Sequence, residues 1–421
     1  MILEITPSPL FGEVKAIDSK SELHRDLICA ALADKPCTLY LAGGHASHIA
    51  NDVKTTIDCL TALGATIDVA ESTIVVTPIK EVPPHPVLDC KESGSTLRFL
   101  MPVATALCDE VTFEGNARLS ERPIGSLKNA MEAHGVEFSS AVLPFTTKGK
   151  LHGGNFEVTG DLSSQYVSGL LLTLPLFEEE SSISLTTPLL SRGYVDITVT
   201  VLYKFGVTVL QMADDTYKTF PSKNTEKAFV SPGRIKVEGD WSNSAFFYVA
   251  NFLGNEVTIN NLNFMSLQRD KKIVDFLNLY QANSNEEQLF GAKSYEFDLS
   301  QVPDLLPALS VAAAFADGTT TINGAARLRL KESDRLMSVS ALINSLGGKA
   351  EDTADGIVIY PQPLVGGTVE SFGDHRIVMA ATIAATRCTE PVIINEARAI
   401  DKSYPSFFED IKALGGIINV I

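Results

Sequence analysis

An amphipathic segment that stops at a glycine and turns into a short strand occurs five times: CLTALGATIDV, NAMEAHGVEF, VLYKFGVTVL, ALINSLGGKA and DIKALGGIINV. The glycines are Gly64, Gly135, Gly206, Gly347 and Gly415, and the first three stand 71 residues apart. From Gly206 to Gly347 the interval is 141 residues, room for one further copy, and IVDFLNLYQANSNE (residues 273–286) occupies it without the glycine. Six motifs therefore account for the chain. A left-handed helix end needs a residue without a Cβ, so each match marks a helix stop with a physical cause.

Ahead of each such helix sits a β-rich run: TLYL, EVTFEG, SISLTT, EVTINN, TTTING and PVIINE. Further upstream come another strand-like run and a second helix, with starts at VKAIDSKS, VLDCKESGS, FEVTGDLSS, IKVEGDWSN, YEFDLSQVPD and VESFGDHR. Each motif thus reads strand, helix, strand, helix, strand, strand. The sixth ends at IINVI without the closing strand that TIVVTP and GIVIYP supply elsewhere, and ILEITP at the start of the chain has that pattern. The reading is that Leu3–Thr6 completes the last motif, which gives two three-motif domains joined by crossings near residue 18 and across residues 234–240. Their expected spans are 19–234, and 1–18 with 235–421. An open solenoid fits less well, because a motif of about seventy residues with both element types exceeds the usual solenoid repeat.

A formal charge of -17 argues against a nucleic-acid or membrane-surface binder, since both partners are anionic. The first ten residues lack a secretory signal pattern, and apolar runs such as LLPALSVAAAFA are too short to cross a bilayer. Six irregularly spaced cysteines without a C-x-x-C read as reduced thiols. A cytoplasmic monomer without metal or cofactor is the expectation. His45 and His48 in HASH are two ligands at most and make no metal site alone.

The strand-to-helix junctions carry Lys20 and Ser21; Glu92, Ser93, Gly94 and Ser95; Ser163, Ser164 and Gln165; Ser242 and Asn243; Asp304; and Asp374, His375 and Arg376. There a helix offers unpaired N–H groups and the positive end of its dipole, and small residues let an anion approach. Serine and aspartate are also ordinary caps, so any one junction has a purely structural explanation. The second set of loops adds Arg118, Arg122, Arg192, Arg327, Arg335, Arg398 and Lys402. An acidic chain with its cations gathered in equivalent loops points to a small polyanionic ligand. Within that setting Asp304 reads either as a cap or as an acid–base group, and Glu332 either as a surface partner of Arg335 or as a second such group.

The segments SKSELHR, ESGSTLR, SERPI, SSQYVSGLL, LKESDRL, GDHRIVMA and DKSYPSFFEDI occur in an order that resembles the 5-enolpyruvylshikimate-3-phosphate (EPSP) synthase family across residues 18–411. The resemblance implies a mixed α/β (α+β) fold, a two-domain inside-out α/β barrel with three βαβαββ units per domain and the active site in the cleft between them. It also implies transfer of the enolpyruvyl group of phosphoenolpyruvate to the 5-hydroxyl of shikimate 3-phosphate, with release of phosphate, by addition and elimination through a tetrahedral intermediate.

Carried over residue by residue, the resemblance implies that Lys20, Ser21, Arg25, Ser163, Ser164, Gln165, Ser191, Tyr194, Asp304 and Lys331 hold shikimate 3-phosphate. Lys20, Gly94, Arg122, Gln165, Arg335, His375, Arg376 and Lys402 then surround phosphoenolpyruvate. Asp304 and Glu332 carry the proton transfers, with Lys20 and Lys402 as partners, His375 as a donor, and Asp374 as support. The chain departs from the family pattern at Glu92 and Arg327, both commonly Asn there; the extra negative charge of Glu92 weakens anion binding unless Lys91 or Arg98 offsets it, and the contact at Arg327 is open.

Three rivals stand beside this reading. A UDP-N-acetylglucosamine enolpyruvyl transferase shares the fold, but its Lys-Asn pair is Lys20-Ser21 here and EGNARLSERP has no cysteine. An RNA 3'-phosphate cyclase would be more basic. A non-catalytic scaffold leaves Asp304 and Glu332 among so many cations unexplained.

Overall fold

The computed structural model describes residues 1–41, 49–212, 215–220, 227–284 and 293–421. The HASH histidines, His45 and His48, and the last residues of IVDFLNLYQANSNE lie outside the described residues. Two compact bodies account for the chain: a continuous one, Asp18–Glu238, and a discontinuous one, Met1–Ile17 with Gly239–Ile421.

In the continuous body three four-stranded sheets repeat one topology. Asn155–Val158 lies parallel to Ser181–Leu185, which pairs antiparallel with Thr216–Thr219, which pairs antiparallel with Val209–Gln211. The same order runs Val87–Asp89, Glu110–Glu114, Phe145–Lys148, Glu137–Phe138. It runs again as Arg234–Lys236, Cys37–Tyr40, Thr73–Thr77, Thr66–Ala70. The discontinuous body has two sheets of this kind. One is Ser294–Asp298, Thr319–Asn323, Ile357–Tyr360, Lys349–Asp352. The other is Gly367–Glu370, Val392–Asn395, Leu3–Thr6, Ile417–Val420, so the first strand of the chain pairs with the last. Phe11–Lys15 and Glu256–Asn260 form a sixth, two-stranded sheet.

The sequence places the strand ending VK at the head of the first motif and the strand RIKV at the head of the fourth. The structure exchanges them. Arg234–Lys236 joins the first motif's sheet beside Cys37–Tyr40, and Phe11–Lys15 joins the fourth motif's strand Glu256–Asn260. The chain leaves each body after such a strand and before the following helix, between Ile17 and Asp18 and between Glu238 and Gly239.

The first helix of each motif is buried nearly all round, which matches its composition. Leu306–Ala314 (LPALSVAAA) and His375–Ala385 (HRIVMAATIAA) are buried at every position, as an apolar helix without a polar face must be. Close packing also demands small residues. At Gly169 in Ser164–Thr173 a Cβ would meet the Arg98 carbonyl oxygen at 2.2 Å, so any side chain there drives this helix off Gly94–Leu107. The strands bury alternate residues, as in Ser294–Asp298 and Thr319–Asn323, with one face on the core.

The repeated glycines end helices as anticipated: Gly64, Gly135, Gly206, Gly347 and Gly415 all have φ between 78° and 101°. At the other helix ends Ser19, Ser93, Ser163, Asp240 and Asp374 accept backbone N–H bonds as caps, satisfying donors that the helix itself cannot pair.

Candidate active site

In the discontinuous body, three loops converge on Arg335. Asp304 sits in the single turn Pro303–Leu305 ahead of Leu306–Ala314, Glu332 in the bend before Arg335–Ser345, and Asp374 at the cap of His375–Ala385. The Arg335 guanidinium, 1% exposed, donates from Nε to Asp374 Oδ2, from Nη1 to Asp304 Oδ1 and from Nη2 to Glu332 Oε2, each at 2.8 Å. Burial alone would lower the Arg335 pKa; Asp374, Glu332 and Asp304 outweigh it and raise it above the ordinary arginine range.

Asp304 is a bridging carboxylate and not a cap: no side-chain cap bond is made at that turn. Besides Arg335, it lies 3.3 Å from Arg376 Nη2 and 3.5 Å from Lys331 Nζ. Burial pushes its carboxyl up, but Arg376, Lys331 and Arg335 together hold it well below the usual carboxylate range despite Glu332 nearby. Glu332 is likewise not a surface partner, because its side chain is 13% exposed against a buried arginine.

Asp374 does two jobs. Oδ1 accepts from the Arg376 backbone N–H at 3.0 Å, while Oδ2 accepts from Ser333 Oγ at 3.1 Å and from Arg335. It leaves His375, 1% exposed, with Nδ1 3.8 Å from Asp374 Oδ1. Lys402 ends the turn Ala397–Lys402 and is buried, whereas Arg398 on the same turn is exposed. Beside Lys402, Ser403 Oγ is bonded to Asn243 Nδ2 at 3.1 Å, so the fourth and sixth motifs meet there. Arg327 donates to the Ser300 carbonyl.

Nothing in the local sequence marks Asp270, which stands in QRDKK. It is buried, accepts from Ser242 Oγ, and its carboxyl is pushed up to about 6 by burial first and then by the Asp304 charge, with Arg376 opposing. The signal that could have found it is positional: QRDKK occupies the same second strand-to-helix loop of its motif as Arg122 and Glu332 do in theirs.

In the continuous body, Lys20 opens Lys20–Leu32 and pairs with Asp52 at 2.9 Å. Ser21 and Arg25 share a helix face, but Arg25 is turned inward. It donates to the Ser21 carbonyl, to Thr198 Oγ1 at 2.6 Å, to Ser168 Oγ at 3.2 Å and to the Tyr194 carbonyl at 3.0 Å, over the Phe99 ring. Burial lowers its pKa to about 10. Those bonds fix Tyr194 and the turn led by Ser191, a buried residue with φ of 53°.

Gly94 opens Gly94–Leu107 directly beneath two guanidiniums: a Cβ there would stand 2.7 Å from Nη1 of both Arg98 and Arg122. Arg98 in turn donates to Gln165 Oε1 at 2.7 Å, and Gln165 Nε2 donates to Ser95 Oγ at 2.9 Å. Ser163 and Ser164 begin the helix that carries Gln165. Lys20, Gly94 and Arg122 thus share this body with Ser21, Ser163, Ser164, Gln165, Ser191 and Tyr194. Arg118 pairs with neighbouring Glu121, and Arg192 with Asp196 one turn along the helix Arg192–Lys204. Lys91 pairs with Asp89, and Glu92 Oε1 accepts from Asn116 Nδ2 at 2.6 Å. Among the described residues, no helix is long and apolar enough to cross a membrane.

A family model for EPSP synthase (3-phosphoshikimate 1-carboxyvinyltransferase) matches residues 5–411. A 3-phosphoshikimate 1-carboxyvinyltransferase of Clostridium acetobutylicum is 41% identical over 429 residues, covering 99% of this chain and 98% of the relative. One from Clostridium perfringens is 40% identical over 428 residues, covering 98% of each. Among solved structures, an EPSP synthase from Acinetobacter baumannii matches with a TM-score of 0.78 over 100% of both chains at 22% identity, a likeness of fold.

These matches define a class, the α/β enzymes built from repeated βαβαββ motifs. Within it, the chain belongs to the EPSP synthase family.

Proposed function

We propose that this enzyme transfers the enolpyruvyl group of phosphoenolpyruvate to the 5-hydroxyl of shikimate 3-phosphate and releases phosphate, a step of aromatic amino-acid biosynthesis carried out by a cytoplasmic monomer. The observation that supports this most directly is the Arg335 constellation. It sets two carboxylates, Asp304 and Glu332, among Arg335, Arg376 and Lys331, in a chain that matches the family over residues 5–411.

The reaction needs the hydroxyl oxygen to bond to the central carbon of phosphoenolpyruvate while the methylene carbon gains a proton. The resulting tetrahedral intermediate then loses a methyl proton and its phosphate, and the double bond returns. Acid–base groups and fixed positive charge suffice for both halves. Asp304 and Glu332 carry the two proton transfers, with Lys20 and Lys402 as partners and His375 donating a hydrogen bond. Arg122, Arg335, Arg376, Lys402, Gln165 and the Gly94 backbone receive phosphoenolpyruvate. Ser21, Ser163, Ser164, Gln165, Ser191, Tyr194, Lys20, Lys331 and Asp304 receive shikimate 3-phosphate. Arg25 joins this set, and its bonds to the Ser21 and Tyr194 carbonyls also tie two of its members together.

Mixing the purified enzyme with phosphoenolpyruvate and either shikimate 3-phosphate or UDP-N-acetylglucosamine tests this. Phosphate release with the first acceptor alone is expected; release with the UDP-sugar alone, or with neither, overturns it.

A further inference from the structure

One buried imidazole stands outside the roles assigned so far. His24 lies one turn into Lys20–Leu32, 1% exposed, with its ring edge-on to Phe99. Its Nδ1 is 2.7 Å from Thr56 Oγ1, Thr56 Oγ1 is 2.7 Å from Thr96 Oγ1, and Thr96 Oγ1 donates to Ser93 Oγ at 2.7 Å. Ser93 Oγ also accepts the Thr96 backbone N–H at 3.2 Å, as the cap of Gly94–Leu107. Every hydroxyl in this chain of bonds is buried.

With Thr96 donating to Ser93, a continuous path runs from His24 Nδ1 through Thr56 and Thr96 to the cap, and both threonine hydroxyls also lie 3.4 Å from the Asp52 carbonyl. Burial drives the His24 pKa down to about 3, with Asp52 pulling it up and Lys20 and Arg25 pressing it down further. The ring therefore brings a hydrogen bond and no charge.

What the chain of bonds connects is the point. Lys20 and His24 share one helix; Asp52, the partner of Lys20, and Thr56 share a second, Asn51–Ala62; Thr96 begins a third, behind Ser93 and Gly94. We propose that His24 is a positioning residue for phosphoenolpyruvate. Through Thr56 and Thr96 it fixes the Ser93 cap, and with it the first-turn backbone N–H groups at Gly94 that receive the anion. Removing one member of a buried polar chain frees the others to shift, and preorganised donors lose their value when they drift. This inference rests on the transferase reading above.

The test compares His24→Phe, which keeps a ring but no donor, with His24→Asn, whose amide can donate from near the Nδ1 position. A third variant, Thr96→Val, cuts the chain in the middle. Expected for His24→Phe is a roughly tenfold rise in KM for phosphoenolpyruvate, the effect of about one buried hydrogen bond, with KM for shikimate 3-phosphate and kcat within about threefold. His24→Asn recovers most of that loss. The double variant His24→Phe with Thr96→Val costs no more than the larger single one, because both act through one path. Amide-hydrogen exchange at Thr96, read without substrate, accelerates in His24→Phe and recovers in His24→Asn. If the wild type releases no phosphate, the transferase reading falls and this inference with it. If the wild type is active but KM for phosphoenolpyruvate is unmoved in His24→Phe, or both KM values and the thermal midpoint move together, the inference alone is overturned.

Discussion

Arg335 Nη1 and Asp304 Oδ1 are 2.8 Å apart, and the same guanidinium holds Glu332 and Asp374 at equal distance. One buried cation thus fixes three carboxylates from three loops, and removing it strands them. Arg335→Met is expected to lower unfolding free energy by about 3–5 kcal/mol, the usual consequence of breaking a buried ion pair from one side. Denaturant titration checks it, and pH sharpens it. The folded-state pKa of Asp304 is depressed, so its contribution is present above the unfolded value of about 3.9 and lost as pH falls through the folded one. The deficit of Arg335→Met should therefore be constant from about pH 5 to 8 and shrink only in more acid solution.

Glu332→Gln keeps an oxygen that can accept from Arg335 Nη2 while removing the ionisable group. Its kcat is expected to fall roughly 10²- to 10⁴-fold, the range for lost general acid–base catalysis, with shikimate 3-phosphate affinity little changed. Steady-state kinetics with calorimetric binding separates the two. Turnover equal to wild type removes Glu332 from the proton transfers.

The parts of this fold that could be read from letters are those with local causes. A glycine after an amphipathic run ends a helix wherever it stands, and Gly64 to Gly415 do so. Pairing across the chain has no such local mark. FGEVK and GRIK are both short strands before a helix, and only register with Glu256–Asn260 or Cys37–Tyr40 assigns them to a sheet. The same division runs through the site. Spacing puts Ser21 and Arg25 on one face but does not tell how deep that face lies, and Arg25 proves to be committed to Thr198, Ser168 and two carbonyls. The capping explanation of Asp374 and its role beside Arg335 are both true, because its two oxygens divide the work. Asp270 was illegible since its meaning comes from burial against Ser242 and the field of Asp304.

For Asp270 the sign of the pH effect is opposite to that of Asp304. Its folded-state pKa is raised to about 6, so the folded form keeps the proton longer than the unfolded chain. Stability is full below about pH 4 and declines as pH rises through 6. Two units correspond to about 3 kcal/mol at pH 8. Asp270→Asn escapes that cost and still accepts from Ser242 Oγ. Its thermal midpoint should lie above wild type at pH 8 and converge on it near pH 4.5; a gap that widens toward acid would contradict the assignment.

Gly94→Ala tests the crowding at the start of Gly94–Leu107 in the continuous body. The added methyl would stand 2.7 Å from Nη1 of Arg98 and of Arg122 and 2.9 Å from Arg122 Cζ, well inside contact distance. Arg98 is tied to Gln165 and the Pro123 carbonyl, and the Arg122 guanidinium, met by the methyl at both Nη1 and Cζ, is the one assigned to phosphoenolpyruvate. Overpacking of this kind costs about 1–3 kcal/mol. Because it falls on a ligand group, it should appear as a roughly 5- to 150-fold higher KM for phosphoenolpyruvate, while KM for shikimate 3-phosphate stays within about twofold. Equal rises in both constants would mean that the methyl disturbs the helix Gly94–Leu107 as a whole and not the placement of Arg122.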